Sequence, residues 1–206
     1  MPMRIFAAAL AALVLSSNAA IGEPRRPPLR CQEDSCWGPS SIKDARHAIA
    51  AAEAELAHGN SRKAAWGIDT IYTANDAVND AIDLVAAVAG LRSGMYQMRG
   101  QNPAKTIRLA YEANPADPKL EALHAEALLR GLFYGTLDTA AARAKRVATA
   151  LRLLTSLEAR KQLSTAHGWA ALARAQHLTG AATATANATC VALAVKPAVC
   201  AWALAK

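Results

Sequence analysis

The sequence predicts an all-α protein built from stacked antiparallel helix pairs, and three observations carry that expectation. Beyond residue 41, apolar residues recur with the 3.6-residue period of amphipathic helices. Glycine, proline and asparagine punctuate the pattern every dozen or so residues, as turns between short helices do. Alanine dominates and aromatics make up only 5% of the chain, with no strand-like alternation of Val, Ile and Thr; that composition suits closely packed helices. With 206 residues there is chain enough for one domain with a sizeable core.

Residues 1–20 read as a secretory signal peptide. Arg4 supplies the positive start, Ile5 to Leu15 the apolar run, and Ser17-Asn18-Ala19 a small-residue cleavage site; a buried helix is the alternative reading. The run is too short to span a bilayer, and no later one approaches the roughly 20 residues required. The expectation is an exported protein, periplasmic or extracellular, with no transmembrane segment in the mature chain. Residues 21–40 form a Pro-rich linker, extended and basic from Glu23 to Arg30, that ends in a small Cys31–Cys36 loop.

The helical domain occupies 41–206. Ser41 caps the first helix with Asp44 three residues on, a capping-box-like pair, and Ile42, Ala45, Ile49, Ala52 and Leu56 form its stripe. His58-Gly59-Asn60 ends it, and Ser61 is expected to cap a second helix carrying Trp66, Ile68, Ile71 and Tyr72. After Asn75-Asp76 a third runs through Ala81, Leu84, Val85, Val88 and Leu91 to about Met98. Asn102 as N-cap and Pro103 as first helical residue open the fourth, with Ile107, Ala110 and Tyr111 inside. Asp117-Pro118 repeats that signal for a fifth helix through Leu120, Leu123, Ala127 and Leu128. Gly131 and Gly135 close it. Thr136 or Asp138 caps the sixth, whose inner face is Val147, Ala150, Leu151 and Leu154, and 155–165 are transitional. The seventh places Trp169, Leu172, Ala173 and Gln176 on one face; Gly180 turns into the eighth, with Ala184, Ala188, Val191 and Val195 inward. Lys196-Pro197 stops that helix, and Val199 to Leu204 form a short closing one.

Trp169, Leu172, Ala173, Gly180, Ala192 and Pro197 are spaced in a way that resembles the tetratricopeptide repeat. Gln176 stands where an aromatic is usual and Thr185 where a second Ala is. Aligned on Gly59, Ala52 and Ala64 give a weaker echo of the same pattern. The glycines 59, 100, 135 and 180 are 41, 35 and 45 residues apart, against about 34 in a strict array, so the repeats are degenerate. The resemblance implies a right-handed solenoid whose first helices line a concave, peptide-binding groove. On the matched unit the groove-facing positions are His167, Ala170, Arg174 and His177. A cation flanked by imidazoles suits a carboxylate and would tighten its hold as pH falls toward 6. The family's Lys/Asn carboxylate clamp is absent. A non-repeating helical bundle is the alternative architecture.

Four cysteines in an export context favour disulfides. Cys190 and Cys200 lie symmetrically about Val195, where the chain reverses, so pairs Cys190–Cys200 and Cys31–Cys36 are expected; C-x4-C with C-x9-C is not a zinc-finger spacing. Net charge is +7, and unevenly spread. Residues 31–90 carry 4 Lys/Arg against 9 Asp/Glu, and residues 91–206 carry 15 against 6. Arg143, Lys145, Arg146 and Arg152 form the densest basic stretch. For an exported chain that points to an anionic polysaccharide, a lipid surface or an acidic protein and away from nucleic acid; a solvated helix face is the plainer account.

Catalytic signatures are missing. There is no H-E-x-x-H, phosphate loop or G-x-S-x-G. His124-Ala125-Glu126 is half a zinc-deaminase signature without its P-C-x-x-C partner. Asp80 and Asp83 share a helix face with nothing to shield them, and the sequon at Asn187 falls mid-helix. No catalytic residue, metal or cofactor is expected. The function that follows is an exported non-catalytic scaffold binding a protein or peptide of the cell envelope through a concave helical groove. The alternatives are a binder of anionic polymer or lipid and an all-helical envelope enzyme.

Overall fold

The computed structural model describes residues 39–95, 97–131 and 139–204, together with the backbone of 31–32 and 35–36. The segment expected to be a signal peptide, most of the expected linker, and the turn residues Gly135, Thr136 and Asp138 lie outside the described residues. Strands β1 (Cys31–Gln32) and β2 (Ser35–Cys36) pair antiparallel with Cys31 opposite Cys36; the bond expected between them concerns side chains that are likewise outside.

Among the described residues everything else of regular structure is helical, apart from an isolated bridge between Met98 and Gln101. In order the helices are α1 (Ile42–Ala57), α2 (Ser61–Asp69), α3 (Asp76–Ser93), α4 (Pro103–Ala113), α5 (Pro118–Arg130), α6 (Ala140–Ala159), α7 (Ala166–Thr179), α8 (Ala184–Leu193) and α9 (Ala198–Ala201), closed by a 3-10 turn over Trp202–Leu204. Local chemistry sets most starts. Ser41, Asn75, Asn102, Asp117, Thr139 and Thr165 each accept a backbone N–H from the first turn of their helix, which satisfies donors that have no partner inside the helix. At α2 the expectation fails: Asn60 is the cap and Ser61 the first helical residue. Asn60 instead donates its amide to Glu55 at 2.7 Å.

The stops show an alternation. Helices α1, α3, α5 and α7 each leave through a left-handed glycine: Gly59 (φ +76°), Gly94 (φ +75°), Gly131 (φ +60°) and Gly180 (φ +74°). The even helices end at Thr70, Asn114, Arg160 and Ala194. Helix α3 therefore stops at Ser93, five residues before the expected Met98. Gly94 takes a conformation that costs a residue with a Cβ about 1–2 kcal/mol, and Met98 pairs with Gln101 in the next turn. Helix α6 runs on through the expected transition to Ala159.

Each helix packs on the next, and α1 touches α3, α3 touches α5, and α5 touches α7. Two apolar cores result. The first gathers Ile68, Ile82, Leu91 and Ile107 with small alanines of α1–α4; the second gathers Leu154, Leu157, Leu172 and Cys190 from α6–α8. They meet on α5, where Ala127 belongs to the first and Ala125 to the second. Close approach of helices is what the alanine-rich composition provides; fully burying one Leu or Ile contributes roughly 1.5–3 kcal/mol.

Several expected core positions face out. Trp66 is 71% exposed and Ile42 44%. On α8 the stripe Ala184, Ala188, Val191 and Val195 is exposed, while Ala186 and Cys190 are buried. The disulfide Cys190–Cys200, with Cα atoms 6.0 Å apart, fixes which side of this nearly all-apolar helix turns inward. After the turn at Lys196-Pro197, α9 and the 3-10 turn pack on α7. Val199 there reaches the α1–α2 turn, its methyl lying 3.2 Å from where a Cβ on Gly59 would sit. The last helical segment thus touches the first hairpin. Among the described residues no helix is long and apolar enough to cross a membrane.

Candidate functional site

The charged residue that the fold buries most deeply, Glu126, lies where α3, α5 and α7 meet. Helix α5 has the apolar spacing expected of it, yet Glu121 and Glu126 are 7% and 1% exposed. Arg92, in the last turn of α3, donates Nε and Nη2 to the Glu126 carboxylate at 3.0 and 2.8 Å. Arg130, one turn along α5, donates Nε to the same carboxylate at 2.8 Å. Burial pushes the Glu126 carboxyl up, but the Arg92 and Arg130 guanidiniums outweigh it and hold the group well below the usual carboxylate range. The face of Arg130 lies on the Trp202 ring, 4.1 Å from its centroid. Glu121 is held separately by Arg160 of α6 at 2.5 Å.

His167 of the predicted groove joins this cluster. Burial lowers its pKa to about 4, with Arg92 and Arg130 pushing the same way and Glu126 opposing. It therefore stays neutral at pH 6, and the expected tightening on a carboxylate near that pH cannot come from His167. The other predicted groove residues separate. Ala170 is fully buried, Arg174 half-buried, and His177 exposed in the last turn of α7. Helix α7 turns residue 170 into the second core because α5, α6, α8 and α9 all pack on it.

The basic stretch of α6 also divides. At about 100° per residue, Lys145 and Arg152 fall on one side and both are exposed. Arg143, also exposed, and half-buried Arg146 fall on the side that carries buried Ala150, Leu153 and Leu157 further along the helix. The four do not make one patch. The half-signature at His124 dissolves as well: its ring stacks on Tyr111 with centroids 4.8 Å apart, and burial lowers its pKa. Its neighbour Glu126 is the carboxylate already spoken for by two arginines.

A second polar centre closes the first half. Arg99, with φ +52°, donates Nε to Asp83 at 2.6 Å. Its Nη1 turns to the carbonyls of Ile68, Asp69 and Ile71 at the end of α2. Sequence reasoning missed both centres, because an arginine 30 residues from the carbonyls it serves leaves no periodic signal. The acids were legible only as interruptions of the α5 stripe. A shallow depression lies at the α1–α2 turn between Gly59 and Trp66, with Arg62 and Lys63 on its rim. Among the described residues no three His, Cys, Asp or Glu side chains are grouped to hold a metal. Compared with known protein families, curated proteins and solved structures, the chain finds no match.

Proposed function

We propose that this chain is an exported, non-catalytic scaffold of tetratricopeptide-like helix pairs that binds a protein or peptide of the cell envelope. The observation that carries the reading is the alternation of its turns. Helices α1, α3, α5 and α7 end on left-handed glycines 35, 37 and 49 residues apart (59 to 94, 94 to 131, 131 to 180), and each also touches the next of the four. A unit of two helices recurring at that interval buries its apolar face only against its neighbours. Export is supported by the Cys190–Cys200 disulfide, a bond that persists in oxidising compartments. The partner is expected along the odd helices, with Arg174 and His177 of α7 at its edge.

The test is affinity capture from envelope extract followed by identification of retained proteins. The reading expects one protein to be retained by the wild type and lost with Arg174→Glu/His177→Glu. Capture unaffected by that pair, or no specific protein at all, would overturn it. Exposed Lys145 and Arg152 support a second reading, attachment to anionic glycan or lipid. It expects steeply salt-dependent retention on anionic vesicles, abolished by Lys145→Glu/Arg152→Glu.

A further inference from the structure

One surface of the molecule is already covered by the chain itself. Residues 198–204 are apolar throughout, and Val199, Cys200 and Ala203 are 4%, 4% and 0% exposed. The segment packs along α7, sets Trp202 on Arg130 of α5, and brings Val199 to Gly59 at the end of α1. It thus meets α7, α5 and the turn after α1, with one disulfide tying it to α8.

We propose that residues 198–204 stand in for the partner, occupying the surface that a short apolar helix bearing an aromatic residue and a carboxylate takes when it comes from another protein. The aromatic requirement follows from Trp202, whose ring covers the Arg130 guanidinium. The carboxylate requirement follows from a count of charge. The cluster holds two guanidiniums, Arg92 from α3 and Arg130 from α5, against one carboxylate, Glu126, with His167 of α7 neutral near pH 7. Among the described residues one positive charge is left over. The covering segment supplies no acid, and the buried indole Nε1 of Trp202 has no hydrogen-bond acceptor. Two needs of the same place, an anion and an acceptor, go unmet by the chain's own segment, and one carboxylate would meet both. The segment holds its place without them because it is tethered, and a short tether gives an effective concentration on the order of millimolar. A free partner with the missing carboxylate makes contacts that the tethered segment lacks.

This inference rests on the scaffold reading for the existence of a partner, but it is testable by itself. The probe is a fluorescent peptide with the sequence of residues 197–206 and an amidated C-terminus, in which Cys200 is replaced by Ala and Lys206 by Glu. That places the carboxylate one helical turn from the tryptophan. Anisotropy titrations use the full chain as wild type, as Cys190→Ser/Cys200→Ser, as Trp202→Ala and as Arg130→Gln. Both freed variants are expected to bind the peptide at least tenfold more tightly than wild type, a gain that a misfolded protein would not show. The peptide ending in Glu should outbind its Lys counterpart, and Arg130→Gln should erase that preference. Helical circular dichroism kept in both freed variants without any gain in binding would overturn the proposal, as would equal binding of the two peptides. If that happens while the wild type still retains an envelope protein that Arg174→Glu/His177→Glu releases, only the stand-in falls and the scaffold reading survives.

Discussion

In the first half of the molecule, α1–α4, helix ends are tied by hydrogen bonds and the Arg99–Asp83 ion pair; in the second, α5–α9, a covalent bond is added to the buried ion pairs. Helix α2 finishes against Arg99, whose guanidinium serves three carbonyls and Asp83. The α2–α3 loop is held by Thr73 and Asn79, the Asn79 amide donating to the Thr73 carbonyl at 2.9 Å while its oxygen accepts the Thr73 N–H at 2.8 Å. Helix α8 has no such network and is fastened by Cys190–Cys200. Its sequence, almost wholly apolar and small, offers few side chains with which to make one. The difference teaches that helices with long, branched core residues and polar loops can be registered by hydrogen bonds. An Ala/Thr-rich helix with no distinct inner face needs a covalent point to fix its roll.

The sharpest way to break this comparison is to remove one polar centre from each half. Glu126→Ala leaves Arg92 and Arg130 facing each other without a counter-charge, mostly buried, and should cost about 3–5 kcal/mol. Arg99→Ala removes the donor to the α2 carbonyls and the guanidinium beside Asp83, which keeps its bond from Gln101, and should cost about 2–3 kcal/mol. Urea unfolding of both variants checks the order; an Arg99 variant less stable than the Glu126 variant would reverse the ranking of the halves.

The second half should also be the more acid-sensitive. The His167 pKa of about 4 lies below the unfolded value of about 6.5. Between these values the unfolded chain takes up a proton that the folded chain refuses, so stability falls as pH drops from 6.5 to 4, by up to about 3 kcal/mol. Above pH 6.5 the residue contributes no pH dependence. Glu126, held low by its arginines, acts in the adjoining window: its stabilisation is present above the unfolded carboxylate pKa and is lost as pH falls below it. Thermal melts of His167→Gln from pH 7 to 2 should lose most of the first decline, keeping the part due to His124 and the whole of the second.

The smallest effects come from glycines inside helices. A Cβ at Gly90 of α3 would lie 2.3 Å from Met98 Cγ, and Met98 is buried; Gly90→Ala should destabilise by about 1–3 kcal/mol. Gly67 of α2 has nothing within 4 Å of that position, so Gly67→Ala should stabilise by roughly 0.5–1 kcal/mol. Chemical denaturation that gives both substitutions the same sign would show that helix propensity, not the Met98 contact, governs these sites.

Much of the helix map was legible because it is written in local chemistry. Asn102-Pro103 and Asp117-Pro118 start helices where they stand, Ser41 with Asp44 does the same, and Gly180 stops α7. The pairing of Cys190 with Cys200 followed from a chain reversal at a proline between them. Legibility ended where side chains serve distant partners. Arg99 reaches back to α2 and Glu126 collects arginines from two helices. His167, expected at the edge of a groove, is drawn into their cluster. The α8 stripe was misread because Ala, Thr and Val on every side give periodicity nothing to choose between.

By itself, then, the sequence determined most helix starts, the stops of α1, α4, α5 and α7, and one disulfide, all of them consequences of bonds spanning about ten residues or fewer. Only the tertiary structure decided which face of α8 turns inward, which acid is buried, and that Val199 returns to Gly59. Those outcomes depend on atoms far apart in the chain competing for the same space, and the free energy of that competition is not stored in any one segment.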